Sequence, residues 1–257
     1  MAASVKNAYI TKHDQFILQM NTLPEYILLE SPYLLLFVLT IVYFSMLYFG
    51  VSSLFISVCK SLHARKMLNK IIDAQPGQAQ ITSEIRHSVR SIIVFGLTAM
   101  LMAFLIRNGF IILLPDTVLN TLTGVVILNL WNEVYFFIIH RVMHTRFLMK
   151  HVHYIHHQSK IPTVYSVYSF HWFEAFLLGS VQVTVALVMP LSPMAIMIYP
   201  FTSILLNLAG HCNYRFGNGT GESWKVFATQ HNQHHHKGRK NYGFALNFLD
   251  KLYNIKP

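Results

Sequence analysis

Twelve of the fifteen histidines fall between residues 140 and 236, and their spacing is that of metal ligands. His140 and His144 stand four apart. His153, His156 and His157 stand at i, i+3 and i+4, and the same triplet returns as His231, His234 and His235. On a helix, both spacings turn imidazoles to one face. Neutral imidazole suits zinc, iron, copper and nickel. A structural zinc takes only about four ligands, so eight histidines are too many for one ion and suit two. His211, at the exit of an apolar run, is expected to complete the ligand set. His171 is expected either to bind metal or to hydrogen-bond a ligand, and Glu174 beside it has the same two options. Glu133 lies two turns before His140 on the same helical face. A charged residue within an apolar span is functional by default, so Glu133 is expected to accept a hydrogen bond from a ligand imidazole. His151 and His236 break the spacing and read as bystanders; His13, His63 and His87 belong to no cluster.

The remaining composition narrows the chemistry. Cys59 and Cys212 are the only cysteines and form no CxxC pair, so any metal is held by nitrogen and oxygen. No HExxH zinc-hydrolase motif occurs. A metal-handling protein without redox chemistry would carry its ligands inside the spans, along a pathway; here they lie at the span ends. An all-imidazole pair of redox metals suits oxygen activation and removal of hydrogen from an unactivated C–H bond, on a substrate drawn from the bilayer.

Positioning such a site falls to apolar helices. The chain of 257 residues is 53% hydrophobic and only 12% charged, about half the charged fraction of soluble domains. Apolar runs cover 33–58, 91–114, 118–139, 173–189 and 194–209. Pro115-Asp116 and Pro190-Leu191-Ser192-Pro193 turn the last four into two hairpins. The segments 60–90, 140–172 and 211–257 fall on one side, and each is basic. The net charge of +10 therefore reports topology: the positive-inside rule makes that side cytosolic. Nucleic-acid binding is the weaker reading, because the basic residues flank spans and form no separate module. The first 32 residues do not resemble a signal peptide, and the glycosylation sequon at 218–220 lies on the cytosolic side. The expected fold is an all-α integral membrane bundle of about five spans, one N-terminal span plus two hairpins, with a cytosolic histidine-rich cap. The expected division is 1–90, holding the first span and the basic loop, and 91–257, the catalytic membrane domain.

His140-Arg141-Val142-Met143-His144, His153-Tyr154-Ile155-His156-His157 and His231-Asn232-Gln233-His234-His235 resemble the HRxxH, HxxHH and HxxHH boxes of the fatty acid hydroxylase/sterol desaturase superfamily. The order and intervals are similar too, over residues 78–255. Glu84-Ile85-Arg86, Ser159 to Thr163, Phe170-His171, Asn241-Tyr242-Gly243 and the closing stretch from Phe248 to Tyr253 look most like the C-5 sterol desaturase (lathosterol oxidase) branch. The resemblance implies a non-haem di-iron oxidase with two Fe ions, O2 as co-substrate, and electrons from NAD(P)H through cytochrome b5. Its metal ligands would be the eight box histidines and His211. For the C-5 branch the reaction is removal of two hydrogens across C5–C6 of a sterol, in the endoplasmic reticulum of a eukaryotic source. Trp172, Gln230, His236 and Leu249 depart from that branch and leave a hydroxylase or a C-4 methylsterol oxidase open.

Overall fold

The computed structural model describes residues 22–216, 229–237, 241–246 and 248–253. His13, the 218–220 sequon and the side chain of His236 lie outside them. A short helix α1 (Leu23–Leu29) starts at Thr22, whose hydroxyl accepts the Glu25 N–H. Pro32 then starts α2 (Tyr33–Ala64), 32 residues long. Its π-helical segment Met46–Val51 carries Tyr48, which is fully buried and donates its hydroxyl to the Tyr165 carbonyl at 2.9 Å. Next come α3 (Gln78–Arg107) and α4 (Val118–Met143). A short helix α5 (Arg146–His151) and two 3-10 turns, His153–Gln158 and Val164–Ser166, lead to α6 (Trp172–Gly179) and α7 (Val181–Ala186). The long α8 (Pro193–His211) follows, and then α9 (Thr229–Lys237) and α10 (Phe248–Leu252).

Among the described residues, four helices are long and apolar enough to cross a membrane: α2, α3, α4 and α8. The expected run at 173–189 instead forms α6 and α7, broken at Ser180. Together they reach about 22 Å, short of a ~30 Å hydrocarbon core. The second span also shifts. Its helix begins at Gln78, well inside the stretch read as a loop, and stops at Arg107. Gly109 provides the stop with φ 76°, a left-handed conformation that glycine adopts without strain. The Arg107 guanidinium donates to the Leu28 and Ser31 carbonyls at 2.9 and 2.6 Å and lies 4.6 Å from the Tyr33 ring centroid. It thereby holds the α1–α2 connection.

Two ends of the bundle are distinct. At one, the hairpin turns meet. The Leu114 N–H donates to the Leu191 carbonyl at 2.9 Å, and Asp116 accepts the Met194 N–H at 2.8 Å and the Thr22 hydroxyl. At the other, a two-residue antiparallel ladder, β1 (Asn69–Lys70) with β2 (Tyr214–Arg215), ties the α2–α3 loop to the segment after α8. The histidine boxes lie at this second end. Between the ends, α2 packs on α3 and α8 on α4. The second contact is close: a Cβ on Gly124 would fall 2.7 Å from the Ala195 Cβ. Leu34, Leu119, Leu122, Val126 and Leu130 point outward and are mostly exposed, as a lipid-facing surface requires.

Candidate metal centre

The histidines assemble into two groups. His140, His144, His153, His157 and His234 form one; His156, His211, His231 and His235 form the other. Within each group the candidate ligand atoms all lie within 4.8 Å of one another. One pattern describes the sorting. Each i, i+4 pair stays together: 140 with 144, 153 with 157, 231 with 235. The i+3 member of each triplet, His156 or His234, turns to the other group. Both triplets therefore serve both groups, and the groups share a wall, with His157 and His235 ring centroids 5.1 Å apart.

Second partners fix which nitrogen faces inward. The Nδ1 atoms of His140 and His211 meet the Tyr242 and Asn207 carbonyls, both at 2.9 Å. His153 Nδ1 meets the Glu174 carboxylate at 2.7 Å, and His156 Nδ1 the Ser169 carbonyl at 3.3 Å. A carbonyl or carboxylate only accepts, so each Nδ1 carries the proton and each Nε2 presents a lone pair. The Nε2 atoms converge. In the first group, Nε2 of His234 lies 3.0 Å from that of His144 and 3.2 Å from that of His157. His157 Nε2 lies 3.1 Å from that of His153 and 3.3 Å from that of His144. In the second, His235 and His211 approach to 3.2 Å. The Nε2 atoms of His144, His157 and His234 form a triangle, and each is either a donor or an acceptor, so at least one edge sets two donors or two acceptors together and repels unless a cation lies between them. Four to six nitrogens at ~2.1 Å from one metal would stand roughly 3.0 to 3.4 Å apart. The donor set therefore fits metal ions. His140 Nε2 is buried and has no hydrogen-bond partner among the described residues, which agrees.

Protonation agrees as well. Burial, then repulsion from His234 and His153, pushes the His144 imidazole down to about 2. Burial and neighbouring imidazoles also hold His156, His231 and His235 well below the ordinary histidine value. All four stay neutral at physiological pH, the form a metal needs.

The carboxylates and His171 act differently from one another. Glu174 accepts from His153, one of the two roles expected of it. Glu133 does not receive an imidazole. Its carboxylate accepts the backbone N–H groups of Ala245 at 3.1 Å and Leu246 at 3.2 Å. Asp250 likewise accepts the N–H groups of Tyr242 and Gly243, each at 2.9 Å. The two carboxylates pin the 241–246 segment over the first group, where the Tyr242 carbonyl orients His140. Sequence reasoning missed this because the partners of Glu133 are backbone groups 112 residues away. His171 belongs to neither group: its Nδ1 accepts the Phe173 N–H at 3.2 Å and caps α6. His151 is exposed and also stands apart.

An apolar cavity of about 330 Å³ lies between α2, α3, α4 and α8, beside α6 and α7, with phenylalanines between it and the histidines. Three of its aromatic walls reach the site. Phe136 and Phe170 stand 4.9 Å, between ring centroids, from His140 and His156, and Phe244 packs on Phe136 at 5.0 Å. Pro200 helps to shape it. A proline inside a helix has no N–H to offer the carbonyl four residues back. That carbonyl, of Ile196, accepts from Gln182 Nε2 at 3.1 Å instead, and the next, of Met197, accepts the Tyr43 hydroxyl at 2.7 Å.

The sequence model of the fatty acid hydroxylase family matches residues 125–254, from the middle of α4 through all three boxes. No curated protein and no solved structure matches the chain. The match covers half of the chain and every histidine in the two groups, and the chain, an integral membrane oxidoreductase, belongs to the fatty acid hydroxylase family.

Proposed function

We propose that the protein is a di-iron oxidase of a membrane lipid, and that its reaction is desaturation of a sterol across C5–C6. The observation that carries the di-iron reading is the two adjoining all-imidazole groups, five histidines and four, above an apolar cavity. Iron bound there would supply reduction of dioxygen coupled to hydrogen removal from a C–H bond. The chain supplies the rest. The nine imidazoles are the ligands. Glu174 and the Asn207, Ser169 and Tyr242 carbonyls hold the rings in place. Phe136, Phe170 and Phe244 keep bulk water from the reacting carbon. The balance is lipid, O2, two electrons and two protons to alkene and two waters. Hydroxylation needs the same inputs and yields an alcohol and one water. The sterol and the C5–C6 position rest on the motif resemblance.

The basic end of the bundle supports a cytosolic face, and location in the endoplasmic reticulum rests on the motif resemblance. It also supports cytochrome b5 as electron donor, since a basic face steers an acidic partner. His144→Ala and His234→Ala should each abolish turnover and lower iron content, read by elemental analysis of the purified protein. Full activity in either would sink the ligand assignment. Mass spectrometry of lipids from complemented cells separates the reactions: loss of two hydrogens supports desaturation, and gain of one oxygen supports hydroxylation.

A further inference from the structure

We propose that Asn132 recognises the one polar group of the lipid, a hydroxyl or carbonyl oxygen, and so selects which carbon lies beneath the histidines. The proposal rests on the lipid-oxidase reading above. Leu128, Asn132, Phe136 and His140 follow one another at four-residue strides along α4, and all four are buried. Asn132 thus stands about 12 Å of helix axis below His140. It lines the cavity and is only 5% exposed, yet its Nδ2 has no hydrogen-bond partner among the described residues.

Four other polar side chains of the cavity are already engaged. Thr98 donates to the Phe95 carbonyl at 2.9 Å, Asn207 to the Val167 carbonyl at 2.9 Å, Gln182 to the Ile196 carbonyl and Tyr43 to the Met197 carbonyl. An amide N–H group buried without a partner is costly and rare. An amide also donates and accepts, so it can meet both halves of a hydroxyl or the single acceptor of a carbonyl. The lining is mostly apolar, which suits a hydrocarbon body with one such oxygen. Sterols and fatty alcohols share that chemistry. Anchoring the oxygen at Asn132 places it several bonds from the carbon under the histidines rather than adjacent to it.

The test uses the purified full-length protein in nanodiscs, incubated with paired probes and re-isolated, with retained probe quantified by mass spectrometry. The pairs are cholestanol against cholestane and hexadecan-1-ol against hexadecane. Wild type should retain the hydroxylated member of one pair about tenfold better than its deoxygenated twin, and the pair that shows this names the source. Asn132→Leu should bring that ratio to about one while keeping the deoxygenated probe, and Asn132→Val provides the same change with less volume. Equal retention in wild type overturns the proposal, as does an unchanged ratio in a folded variant. Collapse of both variants on thermal melting overturns it too, because the amide would then be structural. Iron content and dioxygen uptake of the same wild-type preparation judge the oxidase reading separately. Their absence would sink that reading and leave the retention ratio to judge Asn132.

Discussion

The Glu174 carboxylate meets His153 Nδ1 at 2.7 Å inside the protein, both side chains almost wholly buried. A carboxylate there keeps the proton on Nδ1, raises the basicity of Nε2 and holds the ring. Glu174→Gln keeps an oxygen acceptor and removes the charge. Metal affinity should fall by about tenfold with little change in fold, measured by competition with a chelator; an unaltered affinity would show that the charge does nothing for the metal. Acid should act on four other rings of the site in the metal-free protein. His144 is held down to about 2, and His156, His231 and His235 well below their ordinary value. The unfolded chain protonates its histidines near ~6.5, while the folded one does not. Below that pH the unfolded state binds more protons, so stability is present above ~6.5 and is lost as pH falls towards the folded values. The melting temperature of metal-free protein should therefore drop by several degrees between pH 7 and pH 5 and hold steady above pH 7. A flat profile would contradict the burial of neutral rings. At this scale the sequence was informative, because ligand spacing is local: eight histidines chosen by interval, and His211 chosen by its place at the end of a span, are the nine that converge. What it could not reveal was the other partner of each residue. Glu174 and Glu133 are both carboxylates near a box, and only the packing of distant backbone decides that one meets an imidazole and the other meets Ala245 and Leu246.

Three of the five expected apolar runs became long helices near their expected bounds: α2, α4 and α8. The second became a helix that starts thirteen residues earlier, since its polar first turns bury Glu84 and Ser88 against the loop before α6. There Gln80 and Thr163 both bond the Glu84 carboxylate. The fourth run broke at Ser180. Neither outcome shows in composition, because hydropathy reports what a segment can face and not where its neighbours end. Asn132 was similarly overlooked beside Glu133, although a neutral amide inside an apolar run carries the same signal as a charge. The 241–246 segment shows how such tertiary choices shape the site. Its backbone is held by Glu133 and Asp250, and a Cβ on Gly243 would fall 2.1 Å from the Leu246 carbonyl oxygen. Glu133→Leu leaves the Ala245 and Leu246 N–H groups buried without an acceptor, at about 1–3 kcal/mol each. The segment should then become sensitive to limited proteolysis, and His140 should lose its Tyr242 carbonyl. Glu133→Gln retains an acceptor and should be milder. Equal proteolysis of both variants and wild type would mean that Glu133 does not hold the segment.

Across the whole molecule, lipid-facing leucines surround the middle, the two hairpins close one end, and the histidines sit under a basic surface at the other. Arg86, Arg90, Arg141, Arg146, Lys150 and Lys160 are all exposed on that end, and they come from α3, α4, α5 and the loop before α6. The placement suits the proposed oxidase: substrate would arrive through the apolar middle and electrons over the basic end. It also separates the two encounters physically, so they can be perturbed independently. Arg146 and Lys150 lie on α5, a short helix whose residues include none of the nine histidines. Reversing both, as Arg146→Glu with Lys150→Glu, removes two positive charges and adds two negative ones without touching the cavity. Association with an acidic electron donor should slow by about tenfold at low salt, while the lipid KM and the metal content stay at wild-type values. Raising ionic strength to 0.5 M shortens the screening length to a few ångströms, so wild type and the double variant should converge there. Stopped-flow reduction by purified cytochrome b5 at two salt concentrations reads all of this. A variant reduced as fast as wild type at low salt would place the electron entry on another face of the bundle.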